Sequence, residues 1–236
     1  AGQTRLLWAR QPVNEVIASP RTTPPLRHRL DTVARTRTYA ASLGLDIGNH
    51  YTSYVPWEGD RVVTTVVATR PGSVEIAPFW FPVLGELPYK GFFDREAAEN
   101  LAAELRKEGF DVCVSGVDAY STLGWMDDPI TEPMLQREDG PLVEIVVHEL
   151  THTNVFLAED PDLSESAATF IGQEASVAFF EDPVDRRRQR ARVRDSRRIA
   201  ASLLVLRSAV SELYEQDLPP DVSSEKRRKL EATARQ

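Results

Sequence analysis

The sequence is poor in cysteine. Cys113 is the only one among 236 residues, so no internal disulfide can form, and a zinc site built on two or more thiolates is excluded by count. Histidine is nearly as scarce: His28, His50, His148 and His152 are the full set. Any metal centre must therefore draw on these few imidazoles and on carboxylates. No stretch approaches the roughly 18 apolar residues that a membrane-spanning helix needs, and no charged-then-apolar start resembles a signal peptide. Positive charge is in deficit as well. The formal net charge of -8 sets up a field that repels phosphates, which argues against nucleic acid or anionic lipid as a general partner.

What remains is an ordinary folding composition, with 42% hydrophobic and 27% charged residues, enough to bury a substantial core. We expect one domain over residues 1–236, with no internal repeat. The chain starts at Ala1-Gly2-Gln3 with a helical pattern under way and stops at Gln236 inside another. It reads as trimmed at both ends, with room for an export signal before it.

Residues 1–47 read as helices, with Leu6, Leu7, Val13, Val16 and Ile17 at helical spacings and Ser19-Pro20 as a break. Residues 48–140 carry the strand signals. The β-branched run Arg61 to Ala68 and the run Val74 to Phe81 flank a turn at Arg70-Pro71-Gly72-Ser73, which predicts a hairpin. Asp94 caps an amphipathic helix from Arg95 to Lys107 that stops at Gly109, and Asp111 to Ser115 reads as a short buried strand. Gly116 to Pro133 reads as an irregular, exposed segment. Residues 141–182 are helical again: Leu142, Val143, Ile145, Val146, Val147 and Leu150 are apolar almost all round, the mark of a buried helix. A second helix begins near Leu163. In residues 183–236 a long basic helix runs from Pro183 to about Gln216, and a last one follows Ser223 or Ser224 as cap. Helices, then strands, then helices predict an α+β fold, mainly helical with a small mixed or antiparallel sheet.

The buried helix carries His148-Glu149-Leu150-Thr151-His152. Side chains four apart on a helix share a face, so two imidazole nitrogens there can converge on one ion at roughly 2.0–2.1 Å. Glu149, one step round, can reach a water rather than the metal. With four histidines in the chain, a chance match to this pattern has a probability of roughly one in a hundred or less. Two core histidines and a carboxylate on an apolar helix would also be costly to desolvate unless a cation compensates. Zn²⁺ is the expected cofactor, and it needs a third protein ligand. Glu165, in Leu163-Ser164-Glu165-Ser166-Ala167-Ala168-Thr169, is the first choice. Asp160, Asp162, Glu159 and Glu174 are rivals, the first two and Glu159 doubling as candidate helix caps.

These residues resemble the bacterial putative aminopeptidase family of gluzincins, whose members pair His-Glu-x-x-His with a downstream Asn-Glu-Ser-Phe-Ala-Thr segment. Ala119-Tyr120-Ser121-Thr122-Leu123-Gly124-Trp125, Asp127-Asp128-Pro129 and Tyr89-Lys90-Gly91-Phe92-Phe93 also resemble recurrent segments of that family, so the likeness covers most of the chain. Ser164 stands where the family has Asn, and Ala167 where it has Phe. The resemblance implies a zincin-like fold and a zinc-dependent peptidase, an aminopeptidase acting on peptides. His148, His152 and Glu165 would hold Zn²⁺ and Glu149 would be the general base. Val117 to Trp125 would be the cleft-lining edge strand, with Tyr120 stabilising the oxyanion. Apart from the resemblance, Thr169 stands one helical turn after Glu165, a spacing that suits it to hydrogen-bond a ligating histidine. The resemblance and the trimmed start together imply the bacterial envelope, periplasmic or lipid-anchored, with the cytoplasm as the alternative.

Eight arginines crowd positions 186 to 198, yet Glu181, Asp182, Asp185 and Asp195 offer partners, which favours a solvated helix face over a nucleic-acid surface. Asp127, Asp128, Glu86 and Glu174 are candidates for binding a substrate amino terminus. The rival functional class is a non-catalytic, metal-stabilised scaffold whose C-terminal helices bind a partner protein.

Overall fold

A computed structural model describes residues 8–82, 85–117, 127–155, 160–216 and 218–235. Along the chain, β1 (Gln11–Pro12) leads into α1 (Val13–Ala18) and α2 (Pro24–Ser42), followed by β2 (Ser53–Val55), β3 (Val63–Thr69), β4 (Phe79–Phe81), β5 (Gly85–Leu87) and β6 (Lys90–Phe92). Then come α3 (Arg95–Lys107), β7 (Asp111–Val117), β8 (Ile130–Thr131), α4 (Glu132–Leu135), α5 (Asp139–Asn154), α6 (Pro161–Phe179), α7 (Pro183–Tyr214) and α8 (Pro220–Ala234). The architecture is α+β, as expected, but the strands among the described residues form three small sheets instead of one. Among the described residues no helix is long and apolar enough to cross a membrane.

The chain divides into two compact units, one of residues Ala1–Val63 and Gly116–Arg190, the other of Thr64–Ser115 and Ala191–Gln236. In the first, α2 starts where Thr23 accepts a hydrogen bond from the Leu26 N–H, with Pro24 and Pro25 in the first turn, where their missing N–H groups cost nothing. Leu30 and Val33 of α2 pack with Ile130, Met134, Leu142, Val146 and Leu150, all wholly or almost wholly buried. His28 and Arg29 of α2 both reach Asp139, which fixes the start of α5 against α2. The sheet beside this core is mixed: β1 pairs antiparallel with β2, and β2 runs parallel to β8 with Tyr54 opposite Ile130.

In the second unit, β3 lies between β6 and β7, and Ala98 and Ala102 of α3 pack on Val66 with Phe92, Val112 and Val114 around them. Asp94 caps α3 through the Glu96 N–H at 3.0 Å, as its sequence position predicts. The expected hairpin between the Arg61 and Val74 runs does not extend. Ala77 N–H reaches Ala68 O at 2.8 Å and Thr69 bridges Ile76, but Pro78 has no N–H to continue the ladder. The edge of β3 is taken instead by β6, Thr65 opposite Gly91, and Phe79–Phe81 pairs with Gly85–Leu87. The last helix also differs from expectation: it starts at Pro220, three residues before Ser223, because proline suits a first helical position.

Burial predicts the cost of truncation. Leu30→Ala removes a side chain with no exposure and is expected to lower unfolding stability by about 2–5 kcal/mol, whereas Leu203→Ala, at a site 58% exposed, should change it by less than ~0.5 kcal/mol. Urea unfolding of the two variants checks the contrast.

Candidate metal centre

Helix α5 uses its three faces differently. Leu142, Val146 and Leu150 turn to the α2 side, Val143 and Val147 meet Ala175 and Ile171 of α6, and the remaining stripe carries His148 and His152. The helix ends at Asn154, whose Oδ1 accepts from the Asp46 N–H at 2.7 Å while its Nδ2 donates to the Asp46 and Leu150 carbonyls. This clip fixes the last turn, the one that carries His152. Nothing in the sequence marked Asn154, because its partner lies more than a hundred residues away.

Helix α6 starts as the sequence predicts, with Asp160 accepting from the Leu163 N–H at 2.9 Å. Its approach to α5 is set by Gly172. A Cβ there would stand 2.8 Å from the Glu144 carbonyl oxygen and 3.2 Å from His148 Cβ. Only a residue without a side chain fits that gap. Buried Gln189, at the start of α7, ties the pair together by donating to Ser176 of α6 at 2.8 Å and Glu144 of α5 at 3.3 Å.

With the helices at this spacing, Glu165, one turn inside α6, stands over the two imidazoles. His148 Nε2 lies 3.1 Å from His152 Nε2 and 3.5 Å from Glu165 Oε2, and His152 Nε2 lies 3.3 Å from Glu165 Oε1. Among the described residues these three form the one group of His, Cys, Asp or Glu able to share an ion. Of the rivals for the third position, Asp160 is a cap, Asp162 and Glu174 are outside the cluster, and Glu159 lies outside the described residues. The imidazoles are mostly covered, at 17% and 19% side-chain exposure, while Glu165 is 66% exposed. Among the described residues the cluster is thus covered on the imidazole side and open on the Glu165 side.

Four ligands placed tetrahedrally at about 2.0–2.1 Å from zinc are separated by roughly 3.3–3.4 Å. The imidazole pair and the shortest contact of each imidazole with Glu165 are close to that value, the two contacts being to different carboxylate oxygens, and one ligand atom from each residue lies within 4.8 Å of the others. Burial, and secondarily the neighbouring His152, push the His148 pKa down despite Glu165. A neutral imidazole is the form that ligates a metal. The donor set therefore suits a divalent ion such as Zn²⁺ in its residue types and its clustering, and the shift at His148 is in the direction that ligation needs.

Glu149 is half-buried beside the cluster without belonging to it. Its charge acts on Tyr51, whose phenol pKa is pushed well up by burial first, then by Glu149 and Asp128. Tyr51 is 2% exposed and, at φ 60°, is the one non-glycine residue with a left-handed backbone among those described. Such strain persists only where the surroundings fix it. Here the Tyr51 N–H donates to the Asp128 carbonyl at 2.7 Å, and the Asp128 N–H donates to His50 Nδ1 at 3.1 Å. Asp128 is thereby buried against His50 and Tyr51, while Glu174 is exposed on α6 and Asp127 acts electrostatically on Arg37. Glu86 lies on β5 of the other unit. Tyr120, with Ala119 to Trp125, lies outside the described residues.

The resemblance drawn from the sequence is matched at the family level. The chain belongs to the family described as putative aminopeptidase, whose model matches residues 1–236. No curated protein and no solved structure matched it.

The packing at Gly172 generates a stability prediction. Gly172→Ala is expected to force α6 off α5 and cost about 1–3 kcal/mol of overpacking, read as a lowered urea midpoint. A midpoint equal to wild type would show that the helices do not meet as described.

Proposed function

We propose that the chain is a zinc-dependent peptidase of the gluzincin type with a zincin-like fold, acting as an aminopeptidase on peptide substrates. The observation that carries this reading is the convergence of His148 Nε2, His152 Nε2 and the Glu165 carboxylate at separations of 3.1, 3.5 and 3.3 Å. Family membership supports the peptidase class.

When bound, zinc supplies Lewis acidity, lowering the pKa of a water toward ~7 and polarising a carbonyl. The side chains do the rest. His148 and His152 each offer an Nε2 lone pair, and Glu165 adds the negative charge that helps to hold a dication. The Glu149 carboxylate accepts a proton from the attacking water and delivers it to the departing amide nitrogen as the C–N bond breaks. One water is consumed, and a carboxylic acid and an amine are released. Tyr51, kept protonated by its burial and by the Glu149 and Asp128 charges, remains a neutral neighbour of the base.

The open side of the cluster favours catalysis over a purely structural role. Structural zinc sites close their coordination with four protein ligands, whereas catalytic sites hold three and keep a place free. Three are present among the described residues, and the third is 66% exposed.

Metal analysis and turnover of an aminoacyl p-nitroanilide test the proposal. Wild type is expected to hold one zinc per chain and to lose activity on chelation. His148→Ala should lose the metal. Glu149→Gln should keep the metal and lose at least ~10²-fold in kcat, the usual contribution of a general base. A scaffold would have no turnover to lose, and full activity in Glu149→Gln would overturn the mechanism.

A further inference from the structure

On the zinc-peptidase reading, the ligating His148 must present a bare Nε2 lone pair, so the single proton of its neutral ring has to sit on Nδ1. An isolated imidazole in water has no strong reason to choose that tautomer, and a partner at Nδ1 supplies one. The partner recorded among the described residues is Thr169, whose Oγ1 lies 3.5 Å from His148 Nδ1.

That meeting follows from the same helix face that makes the rest of the cluster. Glu165, Thr169 and Gly172 are spaced four and three apart on α6, so they share a stripe. Glu165 at one end faces both imidazoles, and Gly172 at the other brings α6 within a Cβ contact of His148. Thr169, between them, is left beside the far side of the His148 ring. With the ring proton on Nδ1, the hydroxyl is the acceptor of this contact and Nε2 is left facing His152 and Glu165. At 3.5 Å the contact is long, as such contacts commonly are before a site closes on its ligand.

We infer that Thr169 is a positioning residue for the metal centre: its hydroxyl fixes the Nδ1-protonated tautomer and the ring orientation of His148. The inference depends on the zinc-peptidase reading. Thr169 is exposed, so water can replace a missing hydroxyl in part, and the effect belongs at the low end of the 10–100-fold range for such partners.

The test compares wild type, Thr169→Ser and Thr169→Val for zinc affinity, by competition with a chromophoric chelator, and for the visible absorption spectrum of the cobalt-substituted protein. Thr169→Val keeps the shape and loses the hydroxyl. It should weaken zinc about tenfold and alter the cobalt spectrum, whereas Thr169→Ser should stay within about twofold of wild type with an unchanged spectrum. Equal affinity and spectrum in Thr169→Val would overturn the inference while leaving the zinc site in place. Equal damage in Ser and Val variants would also overturn it, by assigning the effect to packing. Wild type that binds no zinc would remove the zinc-peptidase reading itself, and this inference with it.

Discussion

Helix α6 reaches the imidazoles of α5 because residue 172 has no side chain. A methyl group there would collide with the Glu144 carbonyl and crowd His148, and α6 would have to move outward. Glu165 is seven residues before Gly172 on the same helix stripe, so an outward shift at 172 is also a shift at 165. The geometry of the His148–His152–Glu165 cluster is therefore a consequence of helix packing. Gln189 reinforces it by bonding to both helices, and the Asn154 clip holds the turn that carries His152. Precision at the site comes from rigid elements fixed on several sides.

The electrostatics point the same way. Two imidazole nitrogens 3.1 Å apart on a helix otherwise sunk in Leu and Val, with the Glu165 carboxylate of the next helix beside them, form a group that a divalent cation would stabilise. Burial shifts His148 toward the neutral state that such a cation needs. Next to the imidazole stripe, the half-buried Glu149 acts electrostatically on the strained Tyr51, which is tied to Asp128. The clip formed there ties residue 128 to residues 50 and 51.

Local features were legible in the sequence, and long-range ones were not. The helix bearing His148 and His152 showed in its apolar periodicity, α3 in Asp94 and Gly109, and α6 in Asp160-Pro161. Glu165 was visible as the carboxylate that a sharp connection would return to the histidines. Gly172, Asn154 and Tyr51 escaped because each acts through a partner distant in sequence: a carbonyl on another helix, a backbone group near residue 46, a clip at residue 128. The Val74 run meets β3 only briefly, through Thr69–Ile76 and Ala77–Ala68, because Pro78 lacks the donor that would continue the ladder. The arginine-rich helix found partners, though not all of those expected: Asp195 meets Arg194 and Arg198, Glu138 meets Arg188, and Asp182 caps the helix instead.

The claim on which the functional account turns is that two imidazoles and one carboxylate form an ion-binding set with a fourth place open. The most direct measurement is X-ray absorption at the zinc edge of the metal-loaded protein. The account predicts four light-atom ligands at about 2.0–2.1 Å, two of them with imidazole scattering. A sulfur shell near ~2.3 Å, which would place Cys113 on the metal, or a shell without imidazole, would contradict it.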